Sequence, residues 1–220
     1  MKRLIKITDD GSSTLYVPEL NEHYHSTFGA VQESRHVFIN NGLKSLKKKN
    51  ISILEVGFGT GLNALLTFLE NEKYKSIDYY GLELYPLNWQ FIEKLGFDKY
   101  LNLTEKESNY FREIHNTPWE QPAEISKNFT LLKQNTDFTE YIIPKKIDLV
   151  YFDAFAPQIQ PDLWTEKIFR NLFNAINEKG ILVTYSAKGE VRRNMLNAGF
   201  IINRLPGPPG KREMIQAMKE

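Results

Sequence analysis

The chain has 220 residues, of which 41% are hydrophobic and 25% charged, with a formal net charge of +1 and no cysteine. This composition is typical of a globular domain with a sizeable core, and the lack of cysteine excludes disulfides, thiolate metal sites and cysteine nucleophiles. The near-neutral charge excludes a basic field over the whole molecule, although a local basic patch is still compatible with it.

The first predicted elements are a β-rich entry at TLYVPEL and an amphipathic helix at about Ala30 to Asn41. We predict one domain, with residues 1–45 as an extension or lid and residues 46–220 as the core. The start, MKRLIKITDDGS, becomes acidic too early for a signal peptide. No apolar run approaches the roughly 18 residues of a membrane span. We therefore expect a cytoplasmic protein without a membrane partner.

Strand and helix patterns alternate from Ile51 onward. The predicted strands are SILEV, IDYYGLEL, FTLLKQ, KIDLVYF and GILVTYS, and the predicted helices are LNALLTFLEN, PLNWQFIEKLG, DLWTEKIFRNLFNAI and EVRRNMLNAG. Residues 100–126 are expected to be helical with irregular loops, and FIINRLP and REMIQAM to form a closing strand pair. Alternation of this kind predicts a mostly parallel sheet with helices on both faces, and such sheets bind ligands beyond the carboxyl ends of their strands.

A glycine-rich turn, EVGFGTG, joins the first core strand to its helix. Its glycines permit a tight turn and close approach of a ligand to the backbone. Leu62 stands where a dinucleotide fingerprint needs glycine or alanine, and a Walker loop would need Gly-Lys-Ser/Thr. The order acid-x-Gly-x-Gly-x-Gly resembles motif I of class I S-adenosylmethionine methyltransferases, although a plain tight turn remains the alternative. The resemblance implies cofactor contacts at Glu55, Gly57, Phe58, Gly59, Gly61 and Asn63.

Two further acids follow predicted strands. Glu83 ends the second strand, where a carboxylate can accept hydrogen bonds from both hydroxyls of a ribose, or else is simply solvated. Asp137 follows the third strand, where methyltransferases often keep an acid near the adenine amino group. Asp137 could equally cap a short helix over Phe138 to Ile143.

Four segments together resemble the methyltransferase domain of the MnmC-type tRNA-modifying enzymes, from about Leu15 to Met218. They are HYHSTFGAVQESRHVFI, EVGFGTGLN, DAFAPQIQPDLW, and YSAKGEVRRNMLNAGF with PGPPGKREM. The resemblance implies a Rossmann-like class I methyltransferase with a mostly parallel seven-stranded sheet, an antiparallel C-terminal strand, helices on both faces and a small β-rich N-terminal extension. One departure is the proline-rich turn from Pro206 to Gly210, which leaves the substrate contacts of that loop open.

The same resemblance implies an activity. The family methylates 5-aminomethyl-2-thiouridine at the wobble position of tRNA to 5-methylaminomethyl-2-thiouridine, using S-adenosylmethionine. Many members also carry an FAD-dependent oxidoreductase domain, and this chain is expected to resemble the form without it. We therefore expect S-adenosylmethionine as cofactor without FAD or metal, and the tRNA anticodon stem-loop as partner. We also expect a monomer, with a separate enzyme supplying the aminomethyl precursor.

Asp153 is the candidate catalytic residue, because it ends the fourth strand beside an apolar wall that includes Phe155 and Pro157. A carboxylate there can accept a hydrogen bond from the reacting amine and direct its lone pair at the methyl group. Two alternatives stay open. Asp153 could instead hold the ammonium group of the cofactor's methionine portion, or it could cap a helix or close a loop.

The N-terminal segment is predicted to lie over the cofactor. Glu33 and Ser34 would then neighbour the methionine portion or the target base, unless they lie on an ordinary helix surface. Tyr24 and Phe28 are candidates for an aromatic lid on the base, with a place in the core as the alternative. The histidines show no metal-ligand pattern and are interpreted as structural or surface residues: His23, His25 and His36.

A cluster of cations near the C-terminus predicts contacts with tRNA phosphates, which position a nucleic acid without reading its sequence. Its members are Lys188, Arg192, Arg193, Lys211 and Arg212. A solvated helix face is the alternative, and Glu213 could be the internal partner of Arg212. Two other functions remain open: a methyltransferase or aminopropyltransferase of the same fold acting on a small-molecule amine, and a non-catalytic RNA-binding or partner protein.

Overall fold

The computed structural model describes residues 1–143 and 146–220. Among these residues the strands are β1 Leu4–Ile7, β2 Ser13–Val17, β3 Glu22–His23, β4 Asn50–Val56, β5 Ser76–Glu83, β6 Ala123–Ser126, β7 Phe129–Asn135, β8 Ile147–Phe152, β9 Ile176–Thr184, β10 Ile201–Pro206 and β11 Glu213–Met218. The α-helices of the same residues are α1 Ala30–Ser34, α2 Leu62–Phe68, α3 Trp89–Ile92, α4 Phe97–Tyr100, α5 Glu105–Asn116, α6 Glu166–Ala175 and α7 Gly189–Ala198.

The main sheet of the described residues has eight strands in the order β10-β11-β9-β8-β4-β5-β7-β6. The strands β7, β5, β4, β8 and β9 run parallel to one another, and β11 joins β9 in antiparallel fashion. This architecture confirms the predicted fold class and the closing strand pair.

The sheet has one strand more than the seven expected. The extra strand is β6, which pairs antiparallel with β7 and carries a register shift between Glu124 and Ser126. It lies in the segment predicted to be helical with irregular loops, where α5 supplies the helix. Since a four-residue edge strand spans too few residues to show a periodic pattern, the sequence contains little signal for it.

Strand β8 lies near the centre of the sheet and is buried along its whole length. Its alternate residues face opposite sides, as a strand requires. Leu149 and Tyr151 pack in one hydrophobic cluster, while Val150 and Phe152 pack in a second cluster with α6. The two clusters cover both faces of the sheet. Asp148 is polar at the start of β8, where it pairs with Lys48, and the next polar side chain is Asp153, directly after the strand ends.

The N-terminal extension forms a separate antiparallel sheet in the order β1-β2-β3 within residues 1–143. Helix α1 follows it and continues into a π-helical turn, Arg35–Asn40. Leu15, Val31 and Phe38 belong to the same buried cluster as residues of β4 and α2. The extension therefore packs on the core beside the carboxyl ends of the strands, and the division at residue 45 stays a prediction. No helix in the described ranges is both long and apolar enough to cross a bilayer.

Candidate active site

The glycine-rich loop lies between the end of β4 and the start of α2. Gly57, Gly59 and Gly61 have φ angles of +90°, +51° and +69°, a region that glycine adopts readily and other residues rarely. The Gly57 N–H donates to the carbonyl of Leu82 at 3.1 Å. A Cβ atom added to Gly57 would lie 2.5 Å from the carbonyl oxygen of Asp153. The loop therefore needs glycine for its backbone angles and for its close approach to the end of β8.

A cavity of about 270 Å³ opens in front of this loop. The strand ends and the loops that follow them supply most of its wall, and Tyr24 and His25 of the N-terminal extension close one side. The main wall segments are residues 57–60, 82–85, 136–139, 153–155 and 159–163. The cavity lies beyond the carboxyl ends of β4, β5, β7 and β8, where the strand order predicts a ligand.

Glu83 and Asp137 both line the cavity. The carboxylate of Glu83 accepts the N–H of Gly59 and the N–H of Tyr85, each at 2.8 Å. Each carboxylate oxygen keeps a further lone pair, so Glu83 can still accept hydroxyl groups. One oxygen of Asp137 accepts the N–H and the hydroxyl of Thr139 at 2.8 and 2.7 Å. Residues 138–143 are not helical in the described structure, so Asp137 closes a turn rather than capping a helix.

Asn63 joins two carboxyl groups. Its amide nitrogen donates to Glu55 at 2.9 Å and to Asp153 at 2.8 Å. Glu55 is fully buried and also accepts the hydroxyl of Tyr79 at 2.8 Å. Burial raises the pKa of Glu55 well above its ordinary range. Glu55 therefore lies behind Asn63, and it acts on the cavity by holding the Asn63 amide.

Asp153 lies where β8 ends, on the cavity wall. Burial, followed by the negative charge of Glu33, raises the pKa of Asp153 to about 7, against the opposing effects of the Asn63 hydrogen bond and the Lys211 charge. Thr165 caps α6, the next α-helix along the chain. Helix capping is therefore not what the structure shows for Asp153, whose carboxyl group accepts the Asn63 amide and lines the cavity.

A family model described as S-adenosyl-L-methionine-dependent methyltransferase matches residues 110–220, half of the chain. The chain belongs to this methyltransferase family. The match confirms the enzyme class predicted from the glycine-rich turn and the strand-end acids.

Relatives and a solved structure extend this similarity to the whole chain. The chain is 29% identical, over 96% of its length, to the tRNA 5-methylaminomethyl-2-thiouridine biosynthesis bifunctional protein MnmC of Cupriavidus metallidurans, of which it spans 33%. It is 31% identical over 90% of its length to the protein of the same name from Leptospira interrogans, of which it spans 32%. The crystal structure of MNMC2 from Aquifex aeolicus matches all of this chain and 70% of its own, with a TM-score of 0.76 and 28% identity. The chain thus spans about a third of the length of these curated relatives.

The residues of this methyltransferase cavity fit S-adenosylmethionine. Glu83 has lone pairs for ribose hydroxyls, and the glycine backbone leaves room for a ligand to approach. Asn63 contributes a buried side-chain oxygen that has no hydrogen-bond partner among the described residues. Buried polar atoms normally have a partner, and an N–H or ammonium group of a ligand that reached this oxygen would supply one.

A second cavity, of about 550 Å³, shares the wall formed by Tyr24, His25, Ala154 and Phe155 with the first. The Tyr24 and Phe155 rings meet edge to face, with centroids 5.1 Å apart. Pro157 also lines this second cavity. The apolar wall predicted from Phe155 and Pro157 therefore separates two spaces, and Asp153 is the acid that lies next to it.

The two aromatic residues proposed as a lid occupy different places. Tyr24 lies between the cavities, and its hydroxyl accepts the Arg3 guanidinium N–H at 3.1 Å. Phe28 is 50% exposed at the rim of the second cavity, and a Cβ atom added to Gly210 would overlap its ring. Phe28 therefore lies outside the core, with one face against the loop after β10.

Glu33 and Ser34 are neighbours in sequence but have different surroundings. Glu33 is 5% exposed, lines the second cavity and forms an ion pair with Lys211. Its other oxygen accepts the N–H of Ser26 at 2.8 Å. Ser34 is buried behind it, and its hydroxyl oxygen has no partner within the described residues. Of these two residues, Glu33 lines the second cavity and Ser34 does not. Glu33 therefore does not lie on an ordinary, solvent-exposed helix surface.

The predicted cations divide into two groups. Lys188, Lys211 and Arg212 line the second cavity, whereas Arg192 and Arg193 lie on α7 outside the described cavity walls. Glu213 pairs with Arg204 at 2.6 Å, so Glu213 is not the ion-pair partner of Arg212. The structure thus brings part of the basic cluster to the mouth of the second cavity.

Three buried or partly buried residues near the cavities were missed or treated as structural. Tyr185 follows β9 and lines the second cavity, a strand-end position that could have identified it. Lys133 is 1% exposed inside β7, where its ammonium donates to the carbonyl of His115 at 2.6 Å, and no local pattern marks it. His25 bonds to the hydroxyl of Thr60 at 2.9 Å, and burial lowers its pKa to about 4. His25 is therefore neutral at pH 7 and positions the glycine-rich loop.

Replacing Gly57 by alanine tests whether the close approach of the loop to β8 forms the cofactor site. Gly57→Ala should weaken S-adenosylmethionine binding at least about tenfold, because the added methyl group would overlap the carbonyl of Asp153. Gly96→Ala is the matched control: Gly96 has a φ of +65° but no atom within 4 Å of an added Cβ atom. Both variants should lose about 1–2 kcal/mol of stability from backbone strain, and Gly57→Ala should lose more because of the overlap, but only Gly57→Ala should lose affinity. Equal affinities in calorimetry would contradict this assignment.

Proposed function

We propose that this protein transfers a methyl group from S-adenosylmethionine to the 5-aminomethyl group of the wobble 2-thiouridine in tRNA, giving 5-methylaminomethyl-2-thiouridine. The observation that carries the proposal is the place of Asp153. Its carboxyl group faces a cavity that fits the cofactor, next to the wall of a second cavity that Lys188, Lys211 and Arg212 help to line. The relatives named for biosynthesis of this nucleoside support the choice of substrate.

The reaction needs a neutral amine, because a protonated amine has no lone pair. An alkylamine has a pKa of about 10.4, so it reaches the site as an ammonium ion. The ionised form of Asp153 accepts a proton from this ammonium and leaves the nitrogen lone pair free. When bound, S-adenosylmethionine supplies an electrophilic methyl carbon. A carboxyl group with a pKa of about 7 is ionised in part of the molecules at neutral pH and accepts a proton more readily than an exposed aspartate.

The aromatic wall between the cavities has two effects on this step. Tyr24 and Phe155 exclude water from the space beside Asp153, which strengthens the hydrogen bond between the carboxylate and the amine. They also separate the cavity for the cofactor from the cavity for the substrate, except at the point where the methyl group is transferred. Alignment of the amine by this wall and by Asp153 accounts for most of the rate in our proposal.

The mouth of the second cavity favours a nucleic acid over a small amine. Lys188, Lys211 and Arg212 line this opening together with Glu22, Glu33 and Glu213. Since Glu33 pairs with Lys211 and Glu213 pairs with Arg204, the charges of Lys188 and Arg212 are available to phosphates. Such cations position phosphates, and the wobble base would be splayed out of its stack to reach the cavity. Arg192 and Arg193 extend the same basic surface along α7. We further propose that the protein acts as a cytoplasmic monomer, and that another enzyme supplies the aminomethyl group.

The proposal is tested with tRNA from a strain that lacks the terminal methyl group. The protein should transfer label from S-adenosylmethionine to this tRNA, and digestion to nucleosides should place the label in the wobble nucleoside. Fully modified tRNA is the control and should accept no label there. Label that is absent from the wobble nucleoside would overturn the proposed function.

Replacing Asp153 by asparagine separates its two remaining roles. If Asp153 accepts the proton of the amine, Asp153→Asn should lower kcat by about 10²–10⁴, with little change in the affinity for S-adenosylmethionine. Asp162→Asn, at another position on the wall of the same cavity, is the control and should have a smaller effect on kcat. Comparable losses of turnover and of cofactor affinity in Asp153→Asn would favour the role of holding the methionine ammonium.

A further inference from the structure

Lys211 lines the second cavity and has a carboxylate partner there. The other two cations of the cavity mouth, Lys188 and Arg212, form no ion pair with a carboxylate among the described residues. The ammonium group of Lys211 forms an ion pair with Glu33 and lies 4.0 Å from the centroid of the Tyr185 ring. Glu33 is 5% exposed, and its second oxygen is held by the N–H of Ser26. A carboxylate and an aromatic face therefore meet around one alkylammonium group.

These two contacts are the chemistry by which proteins recognise an alkylammonium ion. A carboxylate supplies a charge-assisted hydrogen bond, and an aromatic face within about 6 Å attracts the cation. The end of a lysine side chain is a methylene group that carries an ammonium. The aminomethyl group of the proposed substrate has the same structure.

We propose that Glu33 and Tyr185 form the site that recognises the aminomethyl group of the substrate, and that Lys211 occupies this site in the free protein. This inference rests on the proposed function, because it assigns the substrate amine to named residues. On binding, the substrate ammonium replaces that of Lys211, and the flexible stem of Lys211 carries its charge out to a phosphate at the cavity mouth.

The site lies beside the proposed reaction centre. The hydroxyl of Tyr185 donates to the carbonyl of Ala154, the residue after Asp153, at 2.9 Å. The charges of Glu33 and Lys211 both act on the Asp153 carboxyl group, the first raising its pKa and the second lowering it. An ammonium held between Glu33 and Tyr185 is therefore close to the end of β8, where Asp153 accepts its proton.

The exchange requires movement of one side chain rather than of the loop. The loop after β10 is held by the N–H of Lys211, which donates to Pro208 at 2.9 Å, and by the N–H of Gly207, which donates to Arg212 at 3.1 Å. His36 contacts the carbonyl of Pro206 at 2.7 Å. The backbone can therefore stay in place while the four-carbon stem of Lys211 rotates.

Binding of propylammonium tests the recognition site without tRNA. Lys211→Ala removes the side chain beyond Cβ, which has the size and charge of propylammonium. Calorimetry at pH 8.5, where the amine is charged, should show binding to Lys211→Ala with a dissociation constant on the order of 1 mM. Binding should be at least about tenfold weaker to wild type, whose site is filled, and to Glu33→Gln/Lys211→Ala, which lacks the carboxylate. Similar binding to all three folded proteins, or binding to none, would overturn the proposal.

Methylation of the free nucleoside 5-aminomethyl-2-thiouridine tests the exchange itself. The nucleoside has no phosphate to draw Lys211 away, so Lys211→Ala should methylate it about tenfold or more faster than wild type at low nucleoside concentration. The same variant should be poorer with tRNA. Lys188→Ala is the matched control, since it removes a cation of the same cavity that is bonded to Gln158 instead of Glu33, and it should show no gain with the nucleoside.

If Lys211→Ala methylates the nucleoside no faster than wild type, the proposed exchange is overturned, and Lys211 contacts phosphate only. The proposed function fails in a different way: wild type would then leave undermethylated tRNA unlabelled, whatever the propylammonium measurement gives.

Discussion

The side-chain amide of Asn63 holds the reaction centre together. Its single nitrogen donates to Glu55 on β4 and to Asp153 after β8, so it uses both of its hydrogens on two carboxyl groups. Because Asn63 lies in the first turn of α2, this bridge links the glycine-rich loop, the helix and two neighbouring parallel strands.

This bridge holds the carboxyl group of Asp153 where little water reaches it. Burial and the charge of Glu33 disfavour the ionised form of Asp153, while the amide hydrogen bond partly stabilises it. The balance brings its pKa to about 7, near the working pH of a proton acceptor. The N-terminal extension contributes to this balance, since it supplies Glu33 and also the Tyr24 ring that closes the cavity.

The sequence predicted the parts of the site that depend on one strand and the turn after it. The glycine-rich turn, Glu83 and Asp153 each follow a buried strand, and the parallel fold brings such strand ends to one edge. The ion pair of Glu33 with Lys211 joins residues that are 178 positions apart, and no local pattern reveals such a pairing. The strand β6 and the buried Lys133 were missed for related reasons: β6 is short, and the surroundings of Lys133 come from α5 and the loop after it. The expected place of the N-terminal segment over the cofactor predicted Glu33 as a site residue, but it did not predict the ion pair of Glu33 with Lys211.

The structure sets the Asp153 carboxyl group to titrate near neutrality. The direct measurement is a ¹³C NMR titration of the aspartate side-chain carboxyl groups, with the Asp153 signal assigned by its absence in Asp153→Asn. Since burial raises the pKa, the protonated form should persist above the range of an ordinary aspartate, with a midpoint near pH 7. A midpoint near the ordinary aspartate value of about 3.9 would contradict the account, because Asp153 would then be a solvated carboxylate with little capacity to accept a proton from the amine.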